Sequence, residues 1–160
     1  MRIRPLADDD IPFLWEMLHA ALDWADDERF TPDEVRTDPS LSKLVDEWGR
    51  DGDRGLVFES DDGRPVGGAW YRWWTAANHA FGYVADNIPE IGIAMKSEVR
   101  GAGHGERLLA AILDLARGEG IQQVSLAVEQ ANLRALSLYA KAGFRLVRSG
   151  DADHIMVLDL

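Results

Sequence analysis

Gly101, Gly103 and Gly105 stand at every second position between an apolar stretch and a helix-like one, in the run PEIGIAMKSEVRGAGHGERLL, Pro89–Leu109. Glycine accepts positive φ and lets backbone approach a ligand closely. The amides of Gly101, Ala102, Gly103, His104, Gly105 and Glu106 can therefore turn into one concavity. Behind them Leu108, Leu109, Ile112 and Leu113 recur with helical spacing. A helix N-terminus backing an array of N–H groups has the chemistry of a pyrophosphate cradle. The plainer reading of the same pattern is a glycine-rich β–α turn that holds nothing. Two familiar nucleotide loops are excluded by pattern. There is no GxxxxGK[S/T], and GAGHGE does not match GxGxxG within an early βαβ unit.

The elements that must position this loop come from a chain of 160 residues, sized for one domain (1–160) rather than two. Apolar residues make up 46%, enough for an ordinary core. No apolar run has the length of a bilayer span, and MRIRPLADDD is unlike a signal peptide. A cytoplasmic protein without membrane partners is expected. Absence of cysteine excludes a disulfide framework, a thiolate nucleophile and cysteine-ligated metal. The four histidines, at 19, 79, 104 and 154, lack local metal-ligand spacing, so no metal is assigned. A formal charge of −11 argues against nucleic acid as a partner. Residues 8–62 carry 18 of the 28 acidic residues and five of the 17 basic ones. That asymmetry can draw a cationic acceptor or simply keep a surface soluble.

Arg2–Pro5 reads as a first strand. Asp8–Leu22 reads as a helix with Pro12 in its first turn and a stripe of Ile11, Leu14, Trp15, Leu18 and Leu22. Thr31 and Glu34 make a capping box around Pro32, and Pro39 interrupts the run, giving two short helices rather than one. Leu41, Leu44, Val45 and Trp48 form the next stripe. Arg54–Ser60 and Pro65–Trp74 read as a hairpin about Asp61–Arg64, with Gly67-Gly68 marking a bulge. Adjacent Trp73 and Trp74 should face opposite ways, one into the core and one toward a groove or a dimer contact. Thr75–Asn87 reads as a loop. A helix over His104–Gly118, a strand over Val124–Val128 and a helix over Asn132–Ala142 follow, the last with an inward face of Leu133, Leu136, Tyr139 and Ala140. Phe144–Arg148 and His154–Leu160 close the chain as a strand pair. This order predicts a three-layer α/β fold with a largely antiparallel sheet, not a doubly wound one.

RGAGHG, with Arg100, Gly103 and Gly105 at the fixed places of Q/R-x-x-G-x-G/A, resembles the acyl-coenzyme A signature of the GCN5-related N-acetyltransferases. Beginning 32 residues after Arg100, Asn132, Ala135, Tyr139, Gly143 and Phe144 fill the family's second pattern, N-x-x-A-x-x-x-Y-x-x-x-G-F. The resemblance is strong over Ile88–Phe144 and looser elsewhere. It implies a mixed, splayed sheet, with acetyl-coenzyme A as donor. Pantetheine would pair with backbone at Ile93, Ala94 and Met95, and diphosphate would rest on the amides of Gly101–Glu106, with Arg100 adding charge. Asn132 would bind the cofactor or cap its helix.

Under that resemblance the acyl group passes directly to a small-molecule or peptide amine. Glu90, at the start of the central strand, is the base candidate, acting through water, with Glu129 as the weaker alternative. Tyr139 is the candidate acid for the departing thiolate. Trp15, Trp24, Trp73, Trp74, His79 and Tyr83 are candidates to surround the acceptor. Asp23, Asp26, Asp27 or Glu28 can attract its ammonium, while the aromatic residues can instead support a homodimer. The competing class is an acyl-coenzyme A-binding sensor that keeps the cradle without transfer; a tryptophan-rich interaction protein ranks behind both.

Overall fold

The computed structural model describes residues 1–160. Seven strands, β1 (Arg2–Pro5), β2 (Arg54–Glu59), β3 (Pro65–Arg72), β4 (Glu90–Met95), β5 (Gln123–Glu129), β6 (Arg145–Ser149) and β7 (Asp153–Asp159), form one sheet in the order β1-β2-β3-β4-β5-β7-β6. Every neighbouring pair is antiparallel except β4 and β5, which run parallel and meet only at Glu90 and Ser125. Ser125 N–H donates to Pro89 O at 2.9 Å, and beyond that level the two strands part. The sheet is therefore mixed, largely antiparallel and splayed, with helices on both faces.

Strand alternation assigns the faces. Ile91 and Met95 join Val124, Leu126 and Val128 in a core closed by α4 (His104–Gly118) and α5 (Leu133–Ala142). Ala94 and Trp70 join the opposite core, closed by α1 (Ile11–Leu22), α2 (Pro32–Thr37) and α3 (Pro39–Ser42). Thr31 caps α2 through the expected box, its Oγ1 accepting from Glu34 N–H at 3.2 Å. Arg72, fully buried at the end of β3, pairs with Asp53 at 2.8 Å and donates to the carbonyls of Lys43, Asp46 and Glu47. This fixes the turn after α3 to the sheet.

Four expectations need correction. The first helix opens with a 3-10 turn over Asp8–Asp10, and its buried stripe is Phe13, Leu14, Met17 and Leu18. Ile11, Trp15 and Leu22 are only half-buried, because α1 lies along β3 and β4 and turns a different edge inward. The bulge lies at Val66, skipped where Phe58 and Glu59 pair with Gly67 and Pro65. Gly67 and Gly68 keep regular register; a Cβ there would collide with Met95 and press on Met17. β3 ends at Arg72, so both tryptophans lie past it. They still diverge: Trp74 is 3% exposed, while Trp73 packs partly buried against the α4-side core. Leu133 is 73% exposed and Ala140 is exposed, since α5 starts over the mouth of the splay and buries mainly Tyr139.

Candidate functional site

Between the diverging ends of β4 and β5 opens a cleft of about 730 Å³. Its floor is the unpaired edge of β4. Lys96 N–H donates to Val66 O across β3, so alternation along the strand turns the N–H and C=O of Ile93 and Met95 toward the opening. Ala94 also lines the cleft, but its own backbone groups face β3 by the same alternation.

Past β4 the chain makes a short 3-10 turn over Ser97–Val99 and reaches the glycines. Gly101 (φ +88°) and Gly103 (φ +79°) are left-handed, a conformation that costs any L side chain. Gly103 is the N-cap of α4, whose first residue is His104. Within the protein, the amides of Gly101, Ala102, Gly103, His104, Gly105 and Glu106 have no hydrogen-bond acceptor; the first helical bond here is Arg107 N–H to Gly103 O. Six consecutive free donors at a helix N-terminus suit a diphosphate without any buried permanent charge. Glu106 pairs with Lys141 at 2.8 Å and ties the start of α4 to α5. The His104 ring packs on Phe58, leaving a buried Nδ1 without a partner.

The Arg100 side chain is engaged within the protein. Its guanidinium donates to Met95 O (2.9 Å), Trp24 O (3.2 Å) and the Asp26 carboxylate (2.8 Å). The charge is thereby neutralised, and the side chain clips the end of β4 to the α1–α2 segment. A second clip crosses the opening: Arg29 pairs with Glu129 at 2.9 Å, at the end of β5. Residues 23–30 thus strap the mouth of the splay from one strand to the other.

Glu90 sits where the strands part. Its residue is 6% exposed and lines the cleft. Oε1 accepts the Gly82 amide at 2.8 Å, while Oε2 is buried without a partner. Burial pushes its carboxyl up to about 7, against the pull of the Gly82 N–H, the nearby Trp74 indole N–H and the charge of Lys43. Glu129, the other carboxylate considered, is held by Arg29. Tyr139 lines the opposite wall, its ring 5.6 Å from that of Phe144. Burial alone pushes its phenol upward, so it stays protonated and able to donate. Asn132 Oδ1 caps α5 through Ala135 N–H at 3.1 Å, which commits its oxygen to the helix.

The aromatic surround is narrower than expected. Trp24 lines the cleft, but Trp15, Trp73, Trp74, His79 and Tyr83 do not. Trp15 stacks beneath Arg36, and His79 stacks on Tyr83 at 4.5 Å. Asp26 lines the cleft, while Asp23 turns to the Arg29 amide and Asp27 to the Arg29 guanidinium. Asp153 lines it too, its carboxyl raised by burial and then by the charge of Glu129. Sequence reading did not single out Gly82, Arg29 or Asp153 for the site. Each acts through a contact across the fold, and no local pattern marks such a contact.

Comparison with known proteins agrees with this geometry. Residues 15–144 match the model of the acetyltransferase (GNAT) family. The mycothiol acetyltransferase of Stackebrandtia nassauensis is 36% identical over 90 residues, which take in 56% of this chain and 28% of that one. The fold matches the PaiA N-acetyltransferase of Thermoplasma acidophilum, solved with coenzyme A (TM-score 0.75, 22% identity, 99% and 98% of the two chains). It also matches the Salmonella typhimurium yncA protein with acetyl-CoA (TM-score 0.68, 23% identity, 100% and 94%). No helix is long and apolar enough to cross a membrane. With a splayed β4–β5 pair, a free-amide turn between β4 and α4, and a family match across most of its length, the chain belongs to the GNAT family of acetyl-coenzyme A-dependent acetyltransferases.

Proposed function

We propose that residues 1–160 form one N-acetyltransferase domain that moves acetyl from acetyl-coenzyme A directly to a primary amine, with Glu90 as base and Tyr139 as acid. The observation that carries this reading is the Glu90 carboxyl, buried at the parting of the strands and held at about 7. At neutral pH about half of such groups are ionised, which lets one residue take a proton and return it within a turnover.

The donor would lie along the open edge of β4, its diphosphate on the amides of Gly101, Ala102, Gly103, His104, Gly105 and Glu106. Backbone N–H at Ile93 or Met95 would polarise the thioester carbonyl. An ammonium acceptor loses its proton through water to Glu90. The amine lone pair then forms the C–N bond, the C–S bond breaks, and its electron pair leaves on sulfur. The Tyr139 phenol supplies the proton that converts thiolate to thiol, the second proton shed by the acylated nitrogen restores the phenol, and Glu90 returns the first to water. No covalent enzyme intermediate is needed, in keeping with a chain that has no cysteine.

The acceptor is a small-molecule or peptide amine. Its positive charge is met at the mouth by Asp153, beside Asp26 and Glu129, which Arg100 and Arg29 already pair. The test is an amine-library assay with acetyl-coenzyme A, reading free thiol and acylated mass. The expected result is a product lost on Glu90→Gln or Tyr139→Phe. Tight donor binding without transfer to any amine class would overturn it in favour of a sensor.

A further inference from the structure

Five buried side-chain polar atoms in the molecule lack a hydrogen-bond partner, and three of them gather where β4 and β5 part: Trp74 Nε1, Glu90 Oε2 and Ser125 Oγ. Arg72 and Glu90 are register partners on β3 and β4, and the chain past Arg72 brings the Trp74 indole N–H close to the carboxyl, with Lys43 near both. Ser125 is the register partner of Glu90 on β5. Its hydroxyl proton rotates and commits it neither to giving nor to accepting. An indole N–H can only donate, and an ionised carboxylate can only accept.

We propose that Trp74 is the positioning residue of Glu90: its indole N–H is the donor that Oε2 lacks, so that Gly82 and Trp74 hold one carboxylate oxygen each. This deepens the reading of Glu90 as the base. Two orphaned polar atoms in a buried site carry a desolvation cost that pairing them removes. The indole is itself fixed in place, with the cationic groups of Lys43, Arg50 and Arg72 at 5.8, 5.9 and 5.9 Å from its ring. A base held at both oxygens keeps the lone pair it needs aimed into the cleft and ionises more readily than burial alone allows.

Few other charges face the carboxyl. Lys43 approaches from the turn after α3, its Nζ donating to Asn78 Oδ1 and His79 O. Arg72, from β3, is occupied by Asp53. The loop over β4 brings Gly82, with His79 turned onto Tyr83. β5 brings the neutral Ser125 and Ala127 before Glu129, which Arg29 holds. Apart from the Ser125 hydroxyl, which can turn either way, the indole is the one uncommitted donor in reach.

The test uses the full chain with ¹³C-labelled glutamate, the Glu90 signal being assigned by its loss in Glu90→Gln. Trp74→Phe keeps an aromatic ring and removes the N–H. It should raise the Glu90 titration by about one pH unit. The acid limb of kcat/KM should move by the same amount, with acetyl-coenzyme A affinity unchanged. Trp73→Phe, on the other face, should leave both at their wild-type positions. In wild-type protein the Trp74 indole proton should titrate with the Glu90 midpoint, a reading that survives if Trp74→Phe does not fold. An indole resonance that ignores Glu90, or a folded Trp74→Phe with an unmoved Glu90 midpoint, overturns the assignment. Because these titrations need no turnover, failure of Glu90 as base would be seen separately, as a Glu90→Gln enzyme that still transfers acetyl.

Discussion

The amide of Gly82 donates to Glu90 Oε1 at 2.8 Å, and the loop comes so close that position 82 has no room for a side chain. A Cβ there would lie 2.7 Å from Oε1 and 2.9 Å from the Ala127 amide. The loop between β3 and β4 thus reaches across the splay and touches both strands where they separate.

Gly82→Ala must displace either the carboxyl or the loop. Misplacing the base proposed here by a fraction of an ångström costs rate more than binding, so kcat should fall about tenfold or more. KM for acetyl-coenzyme A should stay within about twofold, since the cradle lies at the other end of β4. Steady-state kinetics on the purified variant, with its melting temperature, checks both.

Glu90 makes stability depend on pH. Its folded value of about 7 lies above the ordinary 4.5, so the folded chain keeps a proton that the unfolded chain has released. Stability is therefore lost as pH rises from the lower value to the upper one, and the loss is complete above both. At pH 8 it amounts to about 3 kcal/mol. Glu90→Gln should remove this dependence, raising the melting temperature over wild type at pH 8 and little at pH 4, while abolishing transfer.

Tyr139→Phe removes a hydroxyl and leaves the ring against Phe144. Turnover should drop by about 10²-fold with little change in stability. In wild type the raised phenol stays protonated past the ordinary tyrosine value of about 10. No alkaline decline from this residue should therefore appear in a pH–rate profile up to about pH 9.5.

Gly103→Ala places a Cβ on left-handed backbone, where the protein offers it nothing to strike. The cost is conformational, about 1 kcal/mol, and falls on the free-amide turn. Calorimetry should show coenzyme A bound about five- to tenfold more weakly. Gly118→Ala, at the far end of α4 and equally unobstructed, should bind coenzyme A as wild type does.

The glycine turn, the Thr31 box, the α4 boundaries and the Asn132 and Gly143 caps were legible because each depends on residues a few positions apart. Backbone donors, caps and positive φ are local needs that residue types declare. Glu90 was legible as the first residue of a strand, and the chain's likeness to a family supplied the role proposed for it. Its ionisation was not legible, because desolvation is set by what packs over a group.

Sequence alone determined where the turn, its free amides and the helices beginning at His104 and Leu133 would fall. Only the tertiary structure decided that Arg100 would serve Asp26 and two carbonyls, that Arg29 would clip Glu129 across 100 residues, and that the Trp74 indole would come close to the Glu90 carboxyl. These pairings depend on how strands diverge and loops fold back over them. Distance in space, not spacing along the chain, sets their energy.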